Sequence, residues 1–249
     1  MSGHSKWSTI KRAKGAADAK RGQLFTKLGR EITIAARSGG GDADANSTLR
    51  LAVQKARDNN MPIDNIDRAI KRGTGAGTAG ALEEMTLEGY GPGGAAMLLQ
   101  IVTDNRNRTV SEVRSILTKN NANMGEVGCV TWVFEQKGLI VVEAEGDIDE
   151  LELAAIDAGA EDVKDEGGAI EIISRPEDFE AVRKAIEETG VKIASAEVTL
   201  IPQNLAPLDE KAALQTLKLI DRLEELDDVQ HVFTNGDFPD DVLESYRSS

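Results

Sequence analysis

The clearest functional signal in this chain is a cluster of lysines and arginines near the N-terminus. Their side chains are of a type and spacing that could bind phosphate. Residues 1–78 carry fifteen Lys/Arg against seven Asp/Glu, a net charge of +8. Residues 79–249 carry fourteen Lys/Arg against thirty-six Asp/Glu, a net charge of −22, which completes the formal charge of −14. A basic end on an acidic body predicts a polarised molecule, one end of which attracts polyanions while the rest repels them.

The first candidate contacts lie at the start of the chain, where nine Lys/Arg stand against two Asp/Glu in the first 37 positions. On a helical wheel, Lys27, Arg30 and Arg37 fall within roughly 80° of one another, with the apolar stripe mostly on the other side. A solvated helix face usually mixes both signs of charge, and this one barely does. We therefore predict that this region binds nucleic acid through Lys6, Lys11, Arg12, Lys14, Lys20, Arg21, Lys27 and Arg30.

Two other interpretations of the same basic face stay open. It could serve solubility, or it could dock on the acidic domains of the same chain. Lys27 and Arg30 both lie off the apolar stripe of their helix. Under the nucleic-acid hypothesis, replacing both by Glu should abolish binding and leave the fold intact.

A second candidate contact is the polar segment from Thr103 to Thr109, which joins a predicted strand to the N-terminus of a predicted helix. Arg106 and Arg108 in this segment could grip a phosphate or another chain, because helix N-termini and arginines both favour anions. The alternative is a polar loop in which Asp and Asn side chains form local turns.

Residues for catalysis and metal binding are sparse. His4 and His231 are the only histidines and lie at opposite ends of the chain, and Cys129 is the only cysteine. The sequence contains no metalloprotease motif or Walker loop, and the glycines of 89–94 connect two predicted strands as a hairpin loop does. The sequence therefore predicts that the protein is not an enzyme and uses no cofactor, metal or small-molecule substrate. The rival from another class is an enzyme with a carboxylate site between the α/β domains.

Helices are predicted throughout the first 78 residues. Apolar residues recur at helical spacing over 24–35, 49–56 and 63–70, and an earlier helix is expected over 7–20. Pro62 stands at the start of the third pattern and Gly73 just past its end, where helix start and stop signals belong. The stretch 73–80, rich in Gly, Ala and Thr, then predicts a linker.

The apolar period changes to that of strands from residue 82. Strands are predicted over 82–88, 96–102 and 130–134, and Thr109 begins a helix over 109–119 with capping-box spacing to Glu112. Residues 138–202 follow the order strand–helix–strand–strand–helix–strand, which is ferredoxin-like. One more helix and one more strand are predicted after residue 202. Added to the elements of 79–137, they would complete a second α/β sandwich.

The predicted fold class is therefore α+β and multidomain, with an N-terminal helical bundle followed by two ferredoxin-like α/β sandwich domains, one inserted in the other. The predicted domains are 1–78, the discontinuous 79–137 plus 203–249, and the inserted 138–202. The N-terminus has no signal-peptide core, and the longest apolar run, 95–102, is too short for a bilayer. Because a single cysteine also suits a reducing compartment, a cytoplasmic location is expected.

Sequence blocks spread along the whole chain resemble those of the YebC/PmpR family. The blocks are Gly3–Trp7, Asp18–Gly22, Phe25–Leu28, Asn59–Pro62, Glu88–Gly94, Thr103–Thr109, Ala158–Val163 and Leu226–Gln230. The resemblance implies a helical N-terminal domain and two α/β domains, one of which interrupts the other. It also implies a cytoplasmic transcriptional regulator that binds DNA or, as for other relatives, a translational activator that works with the ribosome where proline-rich stretches stall it.

The combined prediction is a non-enzymatic, cytoplasmic, nucleic-acid-binding regulator of gene expression, with DNA or ribosomal RNA as its partner and no membrane contact. The first interpretation is a DNA-binding transcriptional regulator, and the alternative is a ribosome-associated activator that uses the same basic face. No recognition helix and no base-reading set of Asn, Gln and Arg is evident, which slightly favours recognition of phosphate and shape, as on ribosomal RNA. A module that binds only proteins, through pairing of basic and acidic ends between subunits, is a third interpretation.

Overall fold

Eight helices and ten strands form the part of the chain that the computed structural model describes, which is residues 18–75, 82–143, 148–165 and 169–247. The helices are α1 Asp18–Gly39, α2 Ser47–Asp58, α3 Ile63–Gly73, α4 Arg106–Lys119, α5 Ile148–Asp157, α6 Phe179–Glu188, α7 Glu210–Glu224 and α8 Asp240–Arg247. The strands are β1 Glu83–Tyr90, β2 Ala96–Thr103, β3 Asn123–Met124, β4 Phe134–Glu143, β5 Ala160–Asp165, β6 Ala169–Ser174, β7 Ile193–Pro202, β8 Ala206–Pro207, β9 Val229–Thr234 and β10 Gly236–Asp237. Among these residues, no helix is long and apolar enough to cross a membrane.

Helices α1 to α3 make up the described part of the basic segment. Asn46 begins α2, where its side-chain oxygen accepts a hydrogen bond from the Leu49 amide, and Pro62 precedes α3 as predicted. The apolar stripes meet in one buried core, whose members are Leu28, Ile32, Ala35, Ala36, Leu49, Ala52, Val53, Ala56, Met61, Ile66 and Ala69. Ile63 does not join it and is 69% exposed in the first turn of α3. Most of the helix predicted over 7–20 lies outside the described residues.

The inserted segment forms a four-stranded antiparallel sheet with the strand order β5–β6–β4–β7. Strand side chains alternate between the two faces, so Ile140 and Val142 of β4 point toward α5 and α6 while Leu139 and Val141 point to the opposite face. Phe179 of α6 is among the largest fully buried side chains of this core. This strand order and packing are ferredoxin-like, as the sequence predicted.

The second four-stranded sheet has the strand order β3–β1–β2–β9 and is also antiparallel, and β8 and β10 form a separate two-stranded parallel sheet. The β1–β2 hairpin forms the centre of this four-stranded sheet, and β3 and β9 are added at the two edges. Helices α4, α7 and α8 pack against it through a core that includes Val113, Leu117, Leu217, Ile220 and Leu243. This domain is thus a second two-layer α/β sandwich with its own order of connections, and the fold class is α+β with N-terminal helices.

The two sheets meet through the face of the β3–β1–β2–β9 sheet that the helices leave uncovered. Leu98 and Phe233 on that face pack with Val133 and Phe134, whose aromatic ring lies 6.5 Å from that of Phe233. The β4 strand begins at Phe134, before the predicted boundary at 138. We keep the division into 1–78, 79–137 plus 203–249, and 138–202 as a proposal.

Helix α4 begins earlier than the capping-box spacing predicted. Its N-cap is Asn105, whose side-chain oxygen accepts a hydrogen bond from the Arg108 amide at 3.1 Å. Thr109 is therefore an interior, buried residue of the helix and not its start. The prediction was wrong because Asn105 offers a good cap one turn earlier, which leaves the Thr109 hydroxyl for a tertiary contact.

The strand predicted over 130–134 is also corrected. Residues Thr131–Val133 form a turn of 3₁₀ helix, and extended backbone begins only at Phe134. The buried Glu88 carboxylate accepts hydrogen bonds from the backbone amides of Gly128, Val130 and Thr131 at 2.6, 2.8 and 2.9 Å. Three amides that converge on one carboxylate cannot also form a strand ladder, so the segment curls.

Candidate nucleic-acid interface

The basic face of α1 lies against the acidic α/β part of the same chain. The Lys27 ammonium donates a hydrogen bond to the backbone carbonyl of Glu224 at 2.7 Å, and the Gln23 amide donates to the carbonyls of Glu224 and Glu225. These carbonyls lie at the C-terminal end of α7, where the helix dipole is negative and the last carbonyls need donors. The docking interpretation of the basic face therefore holds for Lys27.

Arg30 is the most deeply held of the predicted side chains that the structure describes. Its guanidinium donates to the carbonyls of Val102 and Asp227 at 2.8 and 2.7 Å and to the Asp228 carboxylate at 2.6 Å. Only 16% of the Arg30 side chain and 7% of the Asp228 side chain are exposed. This ion pair ties α1 to the start of β9.

Arg37 adds a third contact from the same face of α1. Its guanidinium donates to the Leu82 carbonyl and lies 3.5 Å from the Glu84 carboxylate. Both partners of this pair are about half exposed, at 43% and 55%. A pair this open to water contributes little stability, so Arg37 marks the edge of the docking contact.

The second predicted site meets the first at Asp228. Arg108 donates to the second oxygen of the Asp228 carboxylate at 2.6 Å and to Asp104 at 2.9 Å, and its side chain is 43% exposed. Arg106, the first residue of α4, is exposed. The structure thus brings Arg30 and Arg108 onto opposite oxygens of one carboxylate, which the sequence did not indicate.

Two threonine hydroxyls complete the surroundings of Asp228. Thr103 and Thr109 donate to the same carboxylate oxygen as Arg108, at 3.0 and 2.6 Å. Burial of the carboxyl acts to raise its pKa, but the hydrogen bonds from Thr109, Arg108, Arg30 and Thr103 outweigh that effect and hold the pKa at about 2. Asp228 is therefore a permanently charged anchor at ordinary pH.

The helical domain also contacts the inserted domain, through α2. The Lys55 ammonium lies 3.2 Å from Glu31 of α1 and 3.6 Å from Glu197 of β7. Burial acts to lower the pKa of Lys55, but the two carboxylates raise it above its ordinary value. Leu51 packs beside this pair against the core of the inserted domain. Charge and packing from α1 and α2 thus hold both α/β sheets.

The remaining predicted contacts are distributed differently. Arg21 is exposed, with its guanidinium 5.8 Å from the centre of the Phe25 ring. Lys20 lies on α1, but its side chain is outside the described part of the structure. The four residues Lys6, Lys11, Arg12 and Lys14 lie outside it altogether. Binding of nucleic acid by all of these residues stays a prediction.

The expected outcome of reversing Lys27 and Arg30 to Glu needs correction. The helical wheel places both residues off the apolar stripe of α1, but a wheel does not show what another domain places there. Two new carboxylates would face the carbonyls at the end of α7 and the Asp228 carboxylate. The double reversal would therefore disturb the packing of the domains, and it cannot test nucleic-acid binding alone.

Sequence reasoning missed Asp228 and Gln23 as contact residues. Asp228 lies in a block that carries the family resemblance, but nothing in its local pattern distinguishes it from the neighbouring Asp227. Its partners are as much as 198 positions away. An ion pair between residues so far apart in the sequence leaves no local pattern from which it could be predicted.

Removing the Arg30 guanidinium should weaken the fold measurably. We expect Arg30→Ala to lower the free energy of unfolding by about 2 kcal/mol, because charged hydrogen bonds to two carbonyls and a buried carboxylate are lost. The matched control is Arg21→Ala on the same helix, which should change it by no more than about 0.5 kcal/mol. Urea unfolding of both variants measures this. Equal stability of the two variants would contradict the anchoring role.

The Asp228 anchor should also give the protein a distinct acid sensitivity. The carboxyl has a folded pKa of about 2 against an ordinary 3.8, so its contribution is present above pH 3.8 and is lost as pH falls toward 2. That contribution amounts to about 2 kcal/mol. The stability difference between wild type and Asp228→Asn should shrink by about this amount between pH 5 and pH 2. For Asp104→Asn, an exposed partner of Arg108, the difference should stay within about 0.5 kcal/mol throughout.

Comparison with known proteins identifies the group to which this chain is related. The family model "TACO1/YebC protein N-terminal domain" matches residues 5–76, and "TACO1/YebC second and third domain" matches residues 82–236. A protein of Geotalea uraniireducens (strain Rf4), named "Probable transcriptional regulatory protein", is 57% identical over 244 residues, which are 98% of this chain and 99% of that protein. "Probable transcriptional regulatory protein cbdbA400" of Dehalococcoides mccartyi (strain CBDB1) is 57% identical over 249 residues, covering 100% and 99%.

One solved structure has the same architecture. The crystal structure of a conserved hypothetical protein, Aq1575 from Aquifex aeolicus, is 46% identical in sequence and superimposes with a TM-score of 0.81. The match covers 89% of this chain and 92% of that protein. The resemblance noted in the sequence blocks is confirmed by the two family models and by these relatives. The chain belongs to the TACO1/YebC family, a family of regulators.

Proposed function

We propose that this protein is a non-enzymatic, cytoplasmic regulator of gene expression that binds nucleic acid through its basic N-terminal region. The observation that carries the proposal is the charge polarity, +8 over residues 1–78 against −22 over the rest. A polyanion is attracted to one end of such a molecule and repelled by the other, so the body sets the orientation in which the protein binds. The names of the two relatives, both regulatory proteins, support the same class.

The contacts that we propose exclude the part of α1 that holds the α/β domains. Lys27 and Arg30 are occupied by backbone carbonyls and Asp228, so they orient the helical domain. The phosphate contacts then fall to the basic N-terminal residues as far as Arg21, with the exposed Arg106 as a second contact beside the domain junction. Arg108 of the second predicted pair already donates to Asp228 and Asp104, so it takes part in the junction in the same way as Arg30. The members of the first group are Lys6, Lys11, Arg12, Lys14, Lys20 and Arg21.

Two of the buried carboxylates, Asp228 and Glu88, have pKa shifts opposite to those of a general acid. A general acid at neutral pH needs a raised pKa, as a carboxyl in an apolar cleft has. Asp228 and Glu88 are shifted the other way, because each accepts several hydrogen bonds that outweigh the effect of burial. Both carboxylates act as fixed anions that organise the chain around them.

Two nucleic-acid targets fit this arrangement. The first is DNA, in line with the names of the relatives, and it makes the protein a transcriptional regulator. The second is ribosomal RNA, with the protein as a translational activator that relieves stalling at proline-rich stretches. One observation favours the second: α1 turns Gln23, Lys27 and Arg30 toward its own α/β domain, so this basic face of α1 is not available to enter a major groove as a recognition helix does.

Binding specificity should separate the two targets. A transcriptional regulator discriminates its site from bulk DNA by a factor of ~10³ or more, whereas a factor that binds through phosphate and RNA shape need not. We expect weak sequence preference on DNA and co-sedimentation with ribosomes at low salt that is lost as the salt concentration rises. Competition by unrelated DNA at fixed salt, run beside a ribosome pelleting assay, measures both.

Each outcome of that comparison has one meaning. Strong site preference without ribosome binding makes the protein a DNA-binding regulator. Ribosome binding without site preference makes it a translation factor. If neither complex forms, the nucleic-acid proposal is wrong, and a protein partner must account for the basic region.

The salt dependence of binding should locate the phosphate contacts. Arg21→Gln should lower the slope of log K against log salt by about 0.7 to 0.9, which is the loss of one contact. Lys184→Gln is the matched control, because it removes one positive charge from a side chain that is 78% exposed on the inserted domain. The control should leave the slope unchanged. If both variants change the slope equally, net charge governs binding and the assignment to Arg21 fails.

A further inference from the structure

The loop from Gly125 to Trp132 presents large side chains to solvent beside the end of β1. Val127 is 95% exposed, Trp132 is 67% exposed, and Tyr90 at the end of β1 is 41% exposed. Scattered exposed apolar residues are ordinary on a protein surface. An exposed Trp and an exposed Tyr that donate hydrogen bonds to the same backbone carbonyl are unusual. Trp and Tyr are also among the residues that contribute most to the binding energy of protein interfaces.

The loop is built as a rigid support. Glu88 is only 5% exposed, and its carboxylate accepts the three amide hydrogen bonds described above. Burial acts to raise the pKa of Glu88, but these bonds lower it below its ordinary value, so the anion persists. The Gly125 amide also donates a hydrogen bond to the Glu88 backbone carbonyl at 2.8 Å. The loop therefore has little freedom to lose when a partner binds.

Both aromatic side chains have their polar ends satisfied inside this loop. The Tyr90 hydroxyl donates to the Cys129 carbonyl at 3.1 Å, and the Trp132 indole N–H donates to the same carbonyl at 3.0 Å. The two rings are therefore fixed in orientation, and what they offer outward is ring surface. Ring faces carry negative electrostatic potential and attract ammonium and guanidinium groups.

The charges around the rings select the sign of the partner. Glu126 is exposed and is the one charged residue within 125–132. The arginines that contact the flanking residues are Arg114, on the Met124 sulfur, and Arg222, on the Asn120 side chain. Lys137, which follows the loop, is paired with Glu135 and Glu161 at 3.0 and 2.8 Å. Burial and the nearby carboxylates of Glu88 and Glu126 raise the pKa of Cys129, in keeping with a negative potential at the loop. The loop itself therefore carries negative charge, which favours a cationic group over a phosphate at the rings.

We propose that the 125–132 loop is a docking site for a basic protein segment, in which an Arg or Lys side chain stacks on Trp132 and Tyr90 and pairs with Glu126. This interaction goes beyond the proposed function and is independent of it. The basic N-terminal region would bind the nucleic acid, and this surface of the acidic body would bind a cationic protein. Arginine is the preferred occupant, because its planar guanidinium both stacks on a ring and pairs with a carboxylate.

The test uses the full-length protein and a synthetic ten-residue peptide of alternating Arg and Gly, followed by calorimetry. The citrulline version of the peptide, which has the same shape and no charge, is the probe control. We expect the Arg peptide to bind and the citrulline peptide not to bind. Trp132→Ala should weaken binding by about three- to thirtyfold, the range of a cation–π contact. Trp132→Phe should retain part of the affinity, and Glu126→Gln should weaken it.

A protein variant controls for general attraction to the acidic body. Leu153→Ala removes a 62% exposed apolar side chain from helix α5, which carries four acidic residues, and it should leave peptide affinity unchanged. Thermal unfolding confirms that each variant is folded. Equal peptide binding by wild type and Trp132→Ala would overturn the proposal. Binding of oligouridylate, or self-association in sedimentation, that depends on Trp132 while peptide binding does not would overturn it too, in favour of a nucleobase or a second copy of the chain.

Discussion

The buried carboxylate of Asp228 is the interaction on which the arrangement of this protein depends. It lies just before β9 and accepts hydrogen bonds from Arg30 of α1, Arg108 of α4 and the hydroxyls of Thr103 and Thr109. Helix α1, the segment 103–109 and the start of β9, which are distant in sequence, therefore meet at one anion. A charge removed from water is tolerated only when it is fully paired, so the position of each segment is constrained by the others.

This constraint changes how the basic region is understood. Positive charge near an N-terminus suggests a surface free to bind polyanions, but Lys27 and Arg30 are engaged by the α/β part of the chain. Their role is to orient the helical domain relative to the acidic body. Lys27 and Arg30 thus contribute to the positive charge of the helical domain and also fix its position on the acidic body. The positive charge that stays available for phosphate lies at the N-terminal end and beside the domain junction.

A second buried carboxylate organises the structure at the C-terminal end of β1. Glu88 gathers three backbone amides and shapes the loop that carries Trp132, much as Asp228 gathers side-chain donors at the domain junction. In both places the hydrogen bonds outweigh burial and lower the pKa. The excess of acidic residues therefore has two physical uses. A few buried carboxylates organise structure, while the exposed ones, such as Glu126, set the potential that partners meet.

The sequence by itself determined the features that rest on local periodicity. The stripe containing Leu28 and Ile32, the ferredoxin-like order of the inserted segment and the α+β class all follow from apolar spacing, which burial enforces residue by residue. Only the tertiary structure decided the start of α4 at Asn105, the curled segment before Phe134 and the partner of Arg30. Each depends on a group brought close by folding. With forty-three acidic residues to choose from, no local pattern singles out the carboxylate 198 positions away that pairs with Arg30.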